Sequence, residues 1–400
     1  MRKAVAVLLV VLLGSVEGRA SVTLPEELRV EVTGSPAPVV TVRTALVEAA
    51  RTQLPGFGLG EVALASVWPP LAPLPPGSAD RRGAVFQVRG PSRFPTSYGV
   101  PARIANVALP WADARALLVS NSPERVLAGG TLYRASVFDG QVVRLVYHHQ
   151  NGSPARPMNL TVLLRNPGGT PLTLWASVGQ GGPAPDELGA GHQAALRFLE
   201  QYWHHAGVLM RLSGHAAVAL DTERLSPGDV ASGVAQIALV KGDRVDLRVR
   251  ASVEGEEGAP TPRAEAGGRA VPMPEVAAPP EVRRLLSYVA GGPAAFMVVG
   301  GSEDEASSGI YGVVYTFVVR MANPLPAPEE AALVMHAEGG PARGTFRIGN
   351  EIVETPVVVP NRPQVLATVR LPPGASRELV VSTMPESGSN YPVLLVLGPP

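Results

Sequence analysis

Six of the seven histidines, His148, His149, His192, His204, His205 and His215, lie between positions 148 and 215. Imidazole binds zinc, copper and nickel, and it exchanges protons near neutral pH. A metal needs lone pairs that converge on one point. Neighbouring residues of a strand point to opposite faces, so His148 and His149 cannot both join one site. His149 continues the face of Val143, Leu145 and Tyr147, whereas His148 sits with Arg144. If a metal is held, His149 and His192 are the pair expected to meet, because both flank turns. Glu200 and His204, at i and i+4 of a helix, are a second arrangement. No His-Glu-x-x-His motif occurs, so these histidines are expected to be solvent-facing or hydrogen-bonded, with no resident metal or cofactor.

Other chemistries fit less well. Ser213-Gly214-His215 is a neighbour pair without the Gly-x-Ser-x-Gly elbow of a hydrolase. Gly179-Gln180-Gly181-Gly182 lacks the Lys-Ser/Thr ending of a phosphate loop. Asp186 and Glu187 are expected to cap a helix. Glu303-Asp304-Glu305 offers oxygen ligands without the spacing of a calcium loop. Tyr202 and Trp203 are expected in a core, while Trp175 reads as either packed or exposed. The lack of cysteine excludes disulfides, thiolate chemistry and a lipid-modified cysteine. With 34 basic and 34 acidic residues and no basic stripe, nucleic acid is not an expected partner.

The elements that would position these residues are mostly strands. Gly and Pro are abundant, 43 and 41 residues, and they punctuate many short alternating runs. Asn166-Pro167 followed by Gly181-Gly182-Pro183-Ala184 is echoed by Asn323-Pro324 followed by Gly339-Gly340-Pro341-Ala342. Leu225-Ser226-Pro227-Gly228 is echoed by Leu371-Pro372-Pro373-Gly374. A repeat of domain length built this way predicts a mainly β chain of tandem immunoglobulin-like β-sandwiches, with a small N-terminal α+β domain. Ala195, Phe198, Leu199, Tyr202 and Trp203 have helical spacing, which predicts one helical insert near 190–205.

The expected boundaries are a signal peptide at 1–20, the α+β domain at 21–128, and a sandwich at 129–252. A Pro-rich linker at 253–280 and a second sandwich at 281–400 follow. The signal peptide rests on Arg2-Lys3, the apolar run Ala4 to Leu13 and small residues at Gly18 and Ala20. Within the domains, Thr44 is expected to cap a helix to Leu54, and Glu281 to Tyr288 to form a short helix. Lys241-Gly242-Asp243 and Gly349-Asn350 are expected to be hairpin turns.

The repeated unit, spanning about 130–250 and 310–400, resembles bacterial exported immunoglobulin-like modules, which implies interaction or scaffolding. Arg144-Leu-Val-Tyr-His-His-Gln-Asn151 and Met384-Pro-Glu-Ser-Gly-Ser-Asn-Tyr-Pro392 resemble phrases of uncharacterised exported bacterial proteins. Some of those carry a copper-amine-oxidase name that belongs to another domain, and no cofactor-forming Tyr motif occurs in this chain. Residues 45–77, from Ala45-Leu-Val-Glu-Ala-Ala-Arg through Leu74-Pro-Pro-Gly77, are similar to the N-terminal domain of the flagellar P-ring assembly chaperone.

The expected function is therefore non-enzymatic: an exported cell-envelope or extracellular protein that binds or supports through sandwich surfaces. Its expected partner is an envelope protein or polysaccharide, with neither nucleic acid nor stable membrane insertion. The expected location is periplasm, cell surface or medium. A metal- or ligand-binding site in the first sandwich and an extracytoplasmic assembly chaperone are the alternatives.

Overall fold

The computed structural model describes residues 25–54, 61–89, 96–253, 281–301 and 311–400. The expected signal peptide, the linker from 254 onward and Glu303-Asp304-Glu305 lie outside the described residues.

The first half contains β1 (Leu28–Thr33), α1 (Val39–Gln53), β2 (Glu61–Trp68), β3 (Ala79–Arg89), β4 (Thr96–Asn106), β5 (Ala116–Ser120) and β6 (Arg125–Val126). There follow β7 (Gly130–Phe138), β8 (Val142–Asn151), β9 (Met158–Arg165), β10 (Leu172–Ala184), α2 (Glu187–Trp203) and β11 (Gly207–Leu212). This half ends with β12 (Ala217–Leu225), β13 (Val230–Lys241) and β14 (Arg244–Val253). The second half contains β15 (Glu281–Val289), β16 (Ala295–Val299), β17 (Val314–Ala322), β18 (Glu329–Ala337) and β19 (Thr345–Ile348). It closes with β20 (Glu351–Glu354), β21 (Gln364–Leu371), β22 (Ser376–Thr383) and β23 (Val393–Gly398).

The chain is mainly β, and its sandwiches are tandem copies of one topology. In the first, β5 runs parallel to β8, which continues through β13 and β10 to β11, over a second sheet in the order β7-β14-β9-β12. In the second, β15 runs parallel to β17, which continues through β22 and β19 to β20, over β16-β23-β18-β21. Helix α2 therefore stands where the second copy has only the Gly349-Asn350 turn, between β19 and β20. The N-terminal strands β2-β3-β4-β1 extend the first sandwich's sheet through the β1–β11 pairing. Their core runs without a break into that sandwich, from Leu46, Phe86 and Ile104 to Leu145 and Leu174.

A buried asparagine fastens each of four strand pairs to the turn that starts the partner strand. Asn323 donates from Nδ2 to the carbonyls of Ala327 (2.8 Å) and Leu371 (2.9 Å), while its Oδ1 accepts from the Leu325 N–H. Its backbone closes the turn, giving to Ala375 and receiving from Gly374. Asn151 treats Leu225-Ser-Pro-Gly228 alike, bonding the Leu225 and Arg156 carbonyls and the Ser153 N–H. Asn106 bonds the Leu74 carbonyl of Leu74-Pro-Pro-Gly77, and Asn166 bonds the Leu212 and Ser213 carbonyls of Leu212-Ser-Gly-His215-Ala216. The fourth turn residue is left-handed in every case, φ 72° to 87° for the three glycines and 60° for His215. Glycine adopts that conformation without strain.

These clasps correct the register of the repeat. The structural equivalent of Asn323 is Asn151 at the end of β8, not Asn166, which follows β9. Three further expectations are corrected. Residues 281–288 are strand, not helix: Leu286 and Tyr288 point inward, Leu285, Ser287 and Val289 outward, and pairing with β17 decides the matter. Helix α1 starts at Val39 behind Pro38, and Thr44 bonds the Val40 carbonyl inside it. Lys241-Gly242-Asp243 is not a hairpin turn, because β13 and β14 belong to different sheets.

Replacing Asn323 or Asn151 by Ala leaves buried carbonyls without a donor, so calorimetric or denaturant unfolding should show a loss of about 2–3 kcal/mol. Asn323→Asp, which keeps the shape but offers a carboxylate to those carbonyls, should cost at least as much. Unchanged stability in the aspartate variant would refute the clasp.

Candidate functional site

Strand β8 is buried on both faces and separates two polar environments. Val143, Leu145, Tyr147 and His149 enter the core of the first sandwich. There the Tyr147 hydroxyl donates to the Asp221 carboxylate from the facing sheet. Helix α1 adds Arg51, which bonds Glu48 at 2.7 Å and the carbonyls of Ala219 and Leu220. Burial pushes the Glu48 carboxyl up to about 7 despite Arg51, and it also raises Asp221. His149 donates from Nδ1 to the Pro123 carbonyl and receives the Ser120 hydroxyl at Nε2, both 2.9 Å. Burial lowers its pKa to about 4, so both bonds are those of a neutral ring.

The opposite face, with Arg144, Val146 and His148, meets α2 and the second sandwich. The fully buried Arg144 guanidinium bonds Gln236 at 2.7 Å and the Gly312 carbonyl at 2.9 Å. It also lies over the rings of Phe198 (5.2 Å) and Tyr202 (5.4 Å) of α2. Ala195, Phe198 and Leu199 of the helix share one apolar cluster with Phe317, Phe346 and Val381. Trp203 Nε1 donates to the Ser382 hydroxyl at 3.2 Å. Gly191 approaches so closely that a Cβ there would overlap the Ser387 carbonyl oxygen.

His192 fastens this junction. Its Nδ1 is 2.9 Å from buried Glu386 and its Nε2 2.9 Å from Glu354, both of the second sandwich. Burial alone would lower its pKa, but the two carboxylates outweigh burial and the nearby Arg343, and hold the ring above 6.5. Close by, His148 is buried and neither ring nitrogen has a hydrogen-bond partner. Its nitrogen and carboxylate oxygens of Glu124 and Glu187 lie within 4.8 Å of one another.

An apolar recess of about 160 Å³ opens beside Thr33, Trp111, Gln141, Trp175 and His205. Trp111 meets Trp175 edge-on at 5.2 Å and stacks on His205 at 4.9 Å. Trp175 is packed, its Nε1 donating to Thr33 at 2.9 Å.

His149 and His192, the pair expected to converge, have their ring nitrogens engaged by different partners, so these bonds leave no shared site. His204 ends α2, and His215 holds the left-handed position of an asparagine-clasped turn. Asp186 occupies the N-cap position without a side-chain bond, and Glu187 lies in the first turn. Sequence reasoning missed Glu124, Glu354, Glu386 and Trp111. Glu386 lay in plain view inside Met384 to Pro392, but its histidine is 194 residues away.

No family model and no curated protein matches the chain. Among solved structures it is similar to tripeptidyl peptidase 2 at 9% identity and TM-score 0.18, over 81% of this chain and 26% of that one. It thus spans about a quarter of that peptidase. Lac15 from a marine microbial metagenome gives 14% identity and TM-score 0.13, over 81% and 72% of the two chains. The PBSX exported protein XepA gives 9% and 0.17, over 68% and 86%. Likenesses this slight carry no argument about fold or activity.

The stabilisation from His192 is complete below 6.5, its unfolded value, and is lost as pH rises through its raised folded value. Glu48 binds its proton more tightly when folded, so it lowers stability between 4.5 and about 7. Melting temperature should therefore fall with rising pH above 6.5, and His192→Gln should flatten that fall. Between about 4 and 6.5 buried neutral His149 acts in the opposite direction to Glu48. The Glu48 contribution is therefore read as a difference: Glu48→Gln should gain melting temperature relative to the parent chain as pH rises from 4.5 to about 7. An unchanged fall above 6.5 in His192→Gln would show that the ring does not titrate at the junction.

Proposed function

We propose that this chain is an exported, non-enzymatic protein of the bacterial cell envelope or extracellular space. It binds a protein or polysaccharide partner through its β-sandwich surfaces. The observation that carries the reading is an apolar row on the outer face of the second sandwich. Leu285, Val318 and Val380 lie side by side across β15, β17 and β22. Leu285 and Val380 are 54% and 49% exposed. The Arg320–Glu378 ion pair flanks the row at 2.8 Å. Apolar side chains contiguous on a sheet and rimmed by charge are the usual composition of a contact surface.

Two further features support the reading. Arg2-Lys3 followed by the run Ala4 to Leu13 has the make-up of an export signal. The polar groups that most resemble chemistry in the sequence, His149 and His192, serve as fastenings between elements. Among the described residues no helix is long and apolar enough to cross a membrane.

Fractionation of host cells should find a mature chain beginning near residue 21 outside the cytoplasm. An uncleaved cytoplasmic chain would overturn the export half of the proposal. Leu285→Glu with Val380→Glu should weaken retention of the purified chain on envelope fractions by roughly tenfold or more. Equal retention would overturn the assignment of that face.

A further inference from the structure

We infer that Glu124, His148 and Glu187 form a binding site for a divalent transition-metal ion of the zinc class. The inference goes beyond partner binding and does not depend on it.

The first ground is an unsatisfied donor. The His148 side chain is 7% exposed, and neither ring nitrogen makes a hydrogen bond. An unpartnered buried polar group is costly to a fold. His149 and His192, equally deep, each have both nitrogens bonded. His148 is thus the exception among three buried histidines of one region. A ring nitrogen without a hydrogen-bond partner leaves its lone pair available to a metal.

The second ground is geometry. His148 Nε2 lies 3.8 Å from Glu124 Oε1. That is long for a hydrogen bond. It is near the ~3.3 Å separation that two ligands adopt on a tetrahedral zinc with bonds of about 2.0–2.1 Å. A carboxylate oxygen of Glu187 completes a triangle with sides no longer than 4.8 Å. Both glutamates are exposed, so small rotations can close the triangle. One imidazole and two carboxylates suit a borderline divalent ion, and three protein ligands leave a position for water.

The third ground is where the three ligands come from. Glu124 precedes β6, His148 lies in β8, and Glu187 is the first residue of α2. The second sandwich closes over them: a Cβ on Gly388 would lie 3.3 Å from His148 Cε1 and would overlap the Glu187 carbonyl. An ion here would clip the start of the helix to the sheet beside the junction.

The test is zinc titration of the chelator-stripped chain, by calorimetry and by melting temperature. One zinc per chain and a raised melting temperature are expected. The double variant Glu124→Gln, Glu187→Gln alters only exposed side chains and should weaken binding by roughly tenfold or more. His148→Gln should do the same. Absence of zinc uptake would overturn the inference. So would uptake that persists undiminished in the double variant, since the ion would then sit elsewhere.

Discussion

A carboxamide can give two protons and accept at one oxygen, and in this protein that inventory sets the architecture. Each sandwich must bring a strand end and the beginning of its antiparallel partner into one corner, where backbone carbonyls would otherwise be buried without donors. Asn106, Asn151, Asn166 and Asn323 meet the need with one shared bond, from Nδ2 to the leucine carbonyl of the turn. A leucine before each turn enters the core while its carbonyl accepts the amide. Strand register follows, because each clasp fixes which residue begins the partner strand. The β3–β4, β8–β13, β9–β12 and β17–β22 pairs are all anchored this way.

The second organising element is α2. It covers the β10–β13 face of its own sandwich and presents Phe198, Leu199 and Trp203 to the other. A helix buried on two sides must shed polar side chains or satisfy them, and at this junction the polar groups are met by partners from both sandwiches. Arg144 supports its aromatic stripe from below with Gln236 and Gly312 as acceptors. His192 reaches Glu386 and Glu354 from above. Removing one partner of such a buried set strands the other, which costs more than the set gains.

Much of the fold was legible because it is periodic. Alternation marked most strands, helical spacing marked α2, and the Leu-Pro-Pro-Gly phrases marked turns. What was not legible depended on partners distant in sequence. Val282, Leu285 and Leu286 suit a helix face as well as a strand, and only β17 alongside decides. The repeated Asn-Pro and Gly-Gly-Pro phrases suggested a register one strand away from the true one, since adjacency to proline is more visible than the bond to a turn 48 residues on. At the site, the alternation of His148 and His149 was readable, and Val146 and Leu145 do belong to separate cores. Which histidine would be satisfied was not readable, because Ser120, Pro123, Glu354 and Glu386 reach them through space.

The helix in place of a two-residue turn also governs how the copies can associate. One copy supplies the protruding wedge, and the other supplies the receiving face formed by β19, β22 and the segment around Ser387. Such a contact is heterologous, joining unlike surfaces, and repeated indefinitely it would build a filament. The second copy has only Gly349-Asn350 at the corresponding tip and offers no wedge of its own. The second copy therefore cannot pass the same contact on through that tip.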